Sequence, residues 1–411
     1  MRPIARFAFA SACLLLTQDA IAVPSYVITD LGFNAQDVNS SGIVVGNLGS
    51  QAVYYDGTLH DMTDILEGPF SEATGINDSG HITGWVQQST ANRGFFYDGS
   101  TVQHIANFNG WSGSTYAQAV NESGTVAGWV VYVDNIDKSF TWDGTSHDLG
   151  TMGGKRSYAQ DINDGGTVAG YYTTNGNLTH AFRSGSDLGT LGGTTSYGYA
   201  VNNDGTVVGM STLSNGQWRA YSYNGTMQNL GVLSGTFSSA NDINNNGEIV
   251  GQAGPAFLYR PGEGMVDLNT KIHNSLGWNL FTANGISDAG HIIGRGTQGG
   301  FTTSFLLTPI DVMLGDMDGD DDVDNFDIQA FEMALTDVAG YVSTYGVADY
   351  ALRGDANGNG TFDNFDIQPF EELLTSSAPI SVSAAVPEPS TAVLLALGAV
   401  AFIGFGMRSR R

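Results

Sequence analysis

Ala159-Gln160-Asp161-Ile162-Asn163-Asp164-Gly165-Gly166-Thr167-Val168-Ala169-Gly170 is one copy of a phrase that the chain repeats seven times. A small residue, an apolar-Asn or apolar-Ser pair, two residues of turn chemistry, a Gly and an apolar-x-Gly ending recur around Asn39, Asn77, Asn121, Asn163, Asn202, Asn244 and Ser287. The copies stand 38 to 44 residues apart, which is the length of a propeller blade built from four short strands. In Val126 to Val130 both strand parities carry apolar or small side chains, so both faces must be covered, as they are when blades stack around an axis. The Asn-x-x-Gly step reads as a hairpin loop, where Asn and Gly tolerate left-handed backbone angles. Asp37, Asp161 and Asp242 stand two residues before their Asn and read as turn residues, because too few carboxylates converge to fill a calcium shell.

Two further phrases return in each repeat. An aromatic-centred strand appears at Tyr54-Tyr55, Phe95-Phe96, Phe140, Phe182, Tyr221, Phe257 and Phe305, and an Asp-Leu-Gly-like phrase follows at Asp148, Asp187, Asn229 and Asp267, with weaker forms near Asp61 and His104. The last aromatic strand has no such follower, because Pro309-Ile310-Asp311 leads into a different composition. The missing phrase stands at the start, in Tyr26 to Gly32. An N-terminal strand that completes the last blade would hide both ring edges. The expected fold is therefore all-β: a seven-bladed β-propeller over residues 23 to 310, closed by an N-terminal strand. Asp148-Leu149-Gly150-Thr151-Met152-Gly153-Gly154, Asp187-Leu188-Gly189-Thr190-Leu191-Gly192-Gly193 and His180-Ala181-Phe182 resemble the bacterial extracellular HAF repeat over residues 26 to 308. The resemblance implies an exported propeller-like array and supplies no catalytic residue.

Composition agrees with an exported, turn-rich β protein. The 411 residues include 56 Gly and only 14% charged side chains, and 41 acidic against 15 basic residues give a formal charge of -26. Such a charge excludes electrostatic affinity for nucleic acid or anionic lipid and favours cations as partners. Arg2 and Arg6, the apolar Phe7 to Leu16 and Ala20-Ile21-Ala22 read as a signal peptide over residues 1 to 22. Cys13 lies inside it, so the mature protein is expected to have no disulfide or thiol chemistry.

From Gly315 the sequence turns to dense carboxylate, and one phrase appears twice, at Asp316 to Asp327 and Asp355 to Asp366. Oxygen ligands at loop positions 1, 3, 5, 9 and 12, with a backbone carbonyl at 7, wrap a calcium ion. In the first loop these positions hold Asp316, Asp318, Asp320, Asp324 and Asp327, with the carbonyl from Asp322; in the second they hold Asp355, Asn357, Asn359, Asp363 and Asp366, with the carbonyl from Thr361. Two calcium ions are thus expected as cofactors. Asp321 takes the place of the glycine that the sharp turn at position 6 favours. A helix is expected after each loop, with stripes Ile328, Phe331, Leu335 and Ile367, Phe370, Leu374 packed on each other. This paired loop-plus-helix layout, over residues 312 to 375, resembles a dockerin type I domain. The resemblance implies a cohesin-like partner meeting positions 10 and 11, here Asn325, Phe326, Asn364 and Phe365.

Residues 376 to 386, rich in Ser, Ala and Pro, read as a spacer. Pro387-Glu388-Pro389, the uncharged run 391 to 407 and the terminal arginines resemble a PEP-CTERM sorting signal over residues 387 to 411. It implies an exosortase-type processing enzyme and delivery to the cell envelope or an extracellular matrix, with run 391 to 407 as a C-terminal transmembrane helix and membrane anchor. Enzyme chemistry finds no support: there is no nucleophile elbow, zinc-ligand spacing or phosphate loop. Three residues after the closing Gly, Trp85, Trp129 and Tyr171, are candidates for stacking on a polysaccharide, although packing between blades accounts for them as well. The sequence thus describes a non-catalytic, exported binding or scaffold protein. The alternative is a component, enzymatic or not, of a polysaccharide-binding or polysaccharide-degrading surface assembly.

Overall fold

The structure, a computed structural model, describes residues 26–105, 113–131, 136–272, 277–309, 314–320, 323–347, 350–357 and 361–376. The signal-like residues 1 to 22, Asp321, Asp322, Asn359, the spacer after residue 376 and the sorting tail with its run 391 to 407 lie outside the described residues.

Residues 26 to 309 form seven four-stranded antiparallel sheets. The repeat around Asn163, for example, supplies Arg156–Ile162, Val168–Thr173, Thr179–Arg183 and Ser186–Asp187. First strands of successive sheets contact one another, and that of the seventh, Asn279–Ile286, contacts that of the first, Asn34–Val38. The sheets therefore close into a seven-bladed propeller whose first strands line the axis. The seventh blade takes its outer strand from the chain start: Tyr26–Asp30 pairs with Phe301–Pro309, from Tyr26 opposite Pro309 to Asp30 opposite Phe305. Tyr26 is buried in one cluster with Trp278 and Phe305, so the closing strand is held by apolar packing as well as by its ladder.

The repeated phrase has a steric cause. At the closing glycines Gly46, Gly84, Gly128, Gly170, Gly209, Gly251 and Gly294, an added Cβ would lie 1.9–2.2 Å from a carbonyl oxygen of the first strand. No side chain fits there, so the second strand approaches the first closely, and the residue opposite the glycine on the third strand is aromatic in six blades and Val53 in the first. In the turn, Gly42, Gly80, Gly124, Gly166, Gly205, Gly247 and Gly290 all have φ of 75–83°, a region that costs other residues about 1 kcal/mol or more. Every first strand also carries a register shift just before its Asn, as between Ala35 and Asp37 or Ala159 and Asp161. Such bulges re-aim a side chain, and here they turn the residue two before the Asn towards the axis.

The acidic region is helical. Asp327–Thr336 and Ile367–Ser376 follow the two loops, and the Phe331 and Phe370 rings stack at 4.1 Å within a core shared by Met317, Ala330, Ala334, Tyr341 and Ala356. The expected stripes do meet. The structure adds Val338–Tyr345 and Tyr350–Gly354 between the loops. The first of these is capped by Asp337, which accepts from the Gly340 N–H, and stopped by Gly346 at φ 73°.

Candidate functional site

One end of the axis is built by the repeated Asn. Each side chain caps its own turn, its Oδ1 accepting from the backbone N–H four residues on at 2.8–3.0 Å. Its Nδ2 donates to the backbone carbonyl of the equivalent residue in the next blade at 2.8–3.3 Å. A second ring runs beside it: the side chains of Asp78, Glu122, Asp164, Asn203, Asn245 and Asp288 each accept from a backbone N–H of the preceding blade at 2.6–3.0 Å. The first ring stops at Ser287. Its Oγ keeps the capping role, accepting from the His291 N–H at 3.1 Å, but among the described residues no bond runs from it to Asn39. The Ser40 hydroxyl, across the same seam, is shielded from solvent without a partner.

Asp37, Asp161 and Asp242 face one axial cavity of about 180 Å³. Each carboxylate accepts from the next N–H of its own strand at 2.8 Å. Each also accepts from the following blade: from Ile76 at 2.9 Å, Val201 at 2.7 Å and Ile286 at 2.8 Å. Burial outweighs these bonds and pushes the Asp37 carboxyl up to about 7 and that of Asp161 to about 6. Asp242 is raised well above the usual range, first by burial and then by the charges of Asp37 and Asp161. The turn reading of these acids needs a correction: they bridge pairs of blades and share the axis. Linear spacing hides this because the bulge that aims them is a pairing feature.

The opposite end carries an aromatic arc. Trp85, Trp129 and Tyr171 are half-buried on second strands, and tyrosines of the first strands link them. Trp85 meets Tyr116 edge-on at 6.0 Å, and Tyr116 stacks on Trp129 at 5.4 Å. Trp129 meets Tyr158 at 5.9 Å, Tyr158 meets Tyr171 at 5.1 Å, and Tyr171 meets Tyr197 at 4.9 Å. The intra-blade partners are directly opposed in the ladder, Tyr116 to Trp129 and Tyr158 to Tyr171. Only the second-strand members stand out in the sequence, because the first-strand tyrosines become their partners through register. Polar tips are tied down, with Trp85 Nε1 donating to Glu72 at 3.1 Å and the Tyr158 hydroxyl to Asp137 at 2.5 Å. In the remaining blades the same opposed pairs are polar: Ser239 with Gln252, Thr282 with Arg295, and Asn34 with Asn47. The arc therefore runs over four neighbouring blades at that end and packs between them.

In the acidic region, carboxylate oxygens of Asp316, Asp318 and Asp320 lie within 4.8 Å of one another. Asp318 Oδ1 is shielded from solvent with no donor, and its carboxyl is raised by burial and then by Asp320. Asp327 closes the first loop, accepting from the N–H groups of Met317, Asp318 and Asp324 at 2.5, 3.0 and 2.8 Å, and burial lifts it to about 6. Asp366 repeats the arrangement on Asn357 and Asp363 at 3.0 and 2.8 Å. Asp355 is buried, Asn357 half-buried and Thr361 exposed. At position 9, Asp324 and Asp363 accept from the N–H of Phe326 and Phe365 at 2.6 and 2.8 Å. Those phenylalanines are 70% and 79% exposed, beside exposed Asn325 and Asn364.

Comparison with known proteins bears on the tail. Residues 385–411 match the PEP-CTERM protein-sorting motif. That motif signals exosortase-dependent export and cell-surface association, and it contains the expected Pro387, Glu388 and Pro389. No curated protein matches the chain. Among solved structures, YCF48 bound to D1 peptide is 13% identical, with a TM-score of 0.44 over 72% of this chain and 100% of that one. TolB from Acinetobacter baumannii is 13% identical at a TM-score of 0.38, covering 70% of this chain and 80% of its own. The Aleuria aurantia lectin N224Q mutant in complex with a fucosylated sugar is 14% identical at 0.31, covering 59% and 94%. The blade count rests on the strand pairing described above. Among the described residues no helix is long and apolar enough to cross a membrane.

Proposed function

We propose that this chain is a non-catalytic scaffold, exported to the envelope or surrounding matrix, whose calcium-bound helical module docks a protein partner. The observation that carries the reading is the pair Phe326 and Phe365, exposed at equivalent positions on turns fixed by Asp324 and Asp363. Large aromatics that stay in water on an ordered turn mark an interaction surface. The residues present fit calcium: an all-oxygen donor set, clustered carboxylates and a shielded Asp318 oxygen without a donor suit a hard cation. Asp316, Asp318, Asp320, Asp324 and Asp327 would hold one ion, and Asp355, Asn357, Asp363 and Asp366 the other, with backbone carbonyls at position 7. A bound ion would fix the position-9 carboxylates and with them the two phenylalanines, the surface that a cohesin-like partner would meet.

A second reading is favoured by the aromatic arc: the propeller mouth holds a polysaccharide against Trp85, Trp129 and Tyr171, whose rings are large, rigid and partly open. The decisive measurement is calorimetric titration of the full chain with calcium, followed by thermal melts. Calcium should give heat below about 1 mM, as in extracellular modules, and should raise the melt of the helical module. Phe326→Ala with Phe365→Ala should keep both effects while abolishing capture of a cohesin-type domain. No heat at millimolar calcium would reject the reading.

A further inference from the structure

We infer that Arg353 is the resident cation of the first acidic loop, holding Asp316 in the ion-free chain and giving it up when a divalent ion enters. The inference rests on the calcium reading above. Arg353 Nη1 lies 2.6 Å from Asp316 Oδ2 and also donates to the Asp316 carbonyl at 3.0 Å. Asp316 is fully buried and the Arg353 side chain is 15% exposed, so water screens the pair little. The other carboxylate oxygen, Oδ1, accepts from the N–H groups of Gly319 and Asp320 at 2.7 and 3.2 Å. The oxygen left for a metal is the one that the guanidinium holds.

Backbone geometry puts the arginine there. Arg353 lies in the last turn of the short helix Tyr350–Gly354 before the second loop, and its carbonyl accepts from the Gly315 N–H, just ahead of the first loop, at 2.9 Å. The two loop entrances are thereby tied side by side, and the Arg353 side chain crosses from one to the other. Charge accounts for a cation at the first loop: five carboxylates occupy its ligand positions, against three in the second, where Asn357 and Asn359 replace acids. Like charges so close repel, and a guanidinium, which stays protonated at any working pH, offsets one of them. It cannot leave as a neutral group, so an incoming ion must compete for Oδ2. The loop richer in carboxylate is thus held below the affinity its charge would give.

The test is calcium titration by calorimetry on the full chain carrying Asp355→Asn, which weakens the second loop so that the heat reports the first. Adding Arg353→Met should tighten first-loop binding about tenfold to a hundredfold, the weight of one charge-assisted hydrogen bond. The same change should lower the melt of the helical module in chelator. Arg353→Gln, which keeps a donor without the charge, should shift both readings in the same direction by less, and Arg353→Lys should stay near the parent. Unchanged or weaker binding in the Met and Gln variants, with circular dichroism in saturating calcium like that of the parent, would overturn the inference. Absence of calcium heat in the unaltered chain would instead overturn the calcium reading on which it rests.

Discussion

Asn163 caps its own turn through Oδ1 and reaches the Asn202 carbonyl through Nδ2, and no other side chain of that length offers both an acceptor and a donor in this geometry. Ser287 has a single hydroxyl on a shorter stem, so it caps and does not link. Ser287→Asn should therefore supply the seventh link. The Asn39 carbonyl already accepts from the Gly42 N–H at 2.9 Å. The Asn77 carbonyl shows that a second donor can share such a site, since it accepts from both Gly80 and Asn39. One added buried hydrogen bond contributes about 1 kcal/mol, which should lift the propeller melt by about 2 °C in calorimetry. A lower melt would mean that the seam at Ser287 has no room for the longer side chain.

At the scale of the strand, the bulge before each Asn decides what the axial acids do. Burial raises the Asp37 carboxyl to about 7 and that of Asp161 to about 6, against an ordinary value of 3.8, and raises Asp242 well above that value. Because the folded chain holds these protons more tightly than the unfolded one, their contribution to stability is full below the ordinary value and is lost as pH rises through the folded values. In chelator, the propeller melt should fall between pH 5 and pH 8. The triple change Asp37→Asn, Asp161→Asn and Asp242→Asn should flatten that slope, and a parent melt that climbs over the same range would contradict the assignment. The three acids were visible in the sequence as members of the repeat, but their convergence was not, because a register shift leaves no residue signature of its own. The aromatic arc divides in the same way: Trp85, Trp129 and Tyr171 stood out by their position after the closing glycine, whereas Tyr116 and Tyr158 became partners only through pairing.

For the whole molecule, ring closure matters most. Tyr26 is 2% and Leu31 8% exposed, so deleting Tyr26 to Gly32 removes roughly 3–6 kcal/mol of apolar burial from these two residues alone. The deletion also leaves Phe301–Pro309 as an open edge, a template for association. The truncated chain should melt well below the parent and aggregate on heating, as scanning calorimetry and light scattering would show. An unchanged melt would mean that the ring is held by its inter-blade Asn bonds without the closing strand.

Sequence alone determined the blade count, the closing strand, the two acidic loops and the sorting tail, because each is written as a repeat or a fixed order of residue types whose local sterics leave little choice. The closing glycine of every repeat is the clearest case, since a Cβ there would meet a carbonyl oxygen at about 2 Å. Tertiary structure decided what lies between repeats: the Asn ring and its break at Ser287, the three acids sharing an axis, and Arg353 reaching Asp316 thirty-seven positions away. Those contacts join residues from different blades or loops, and their strength comes from burial and mutual orientation, which only the folded chain supplies.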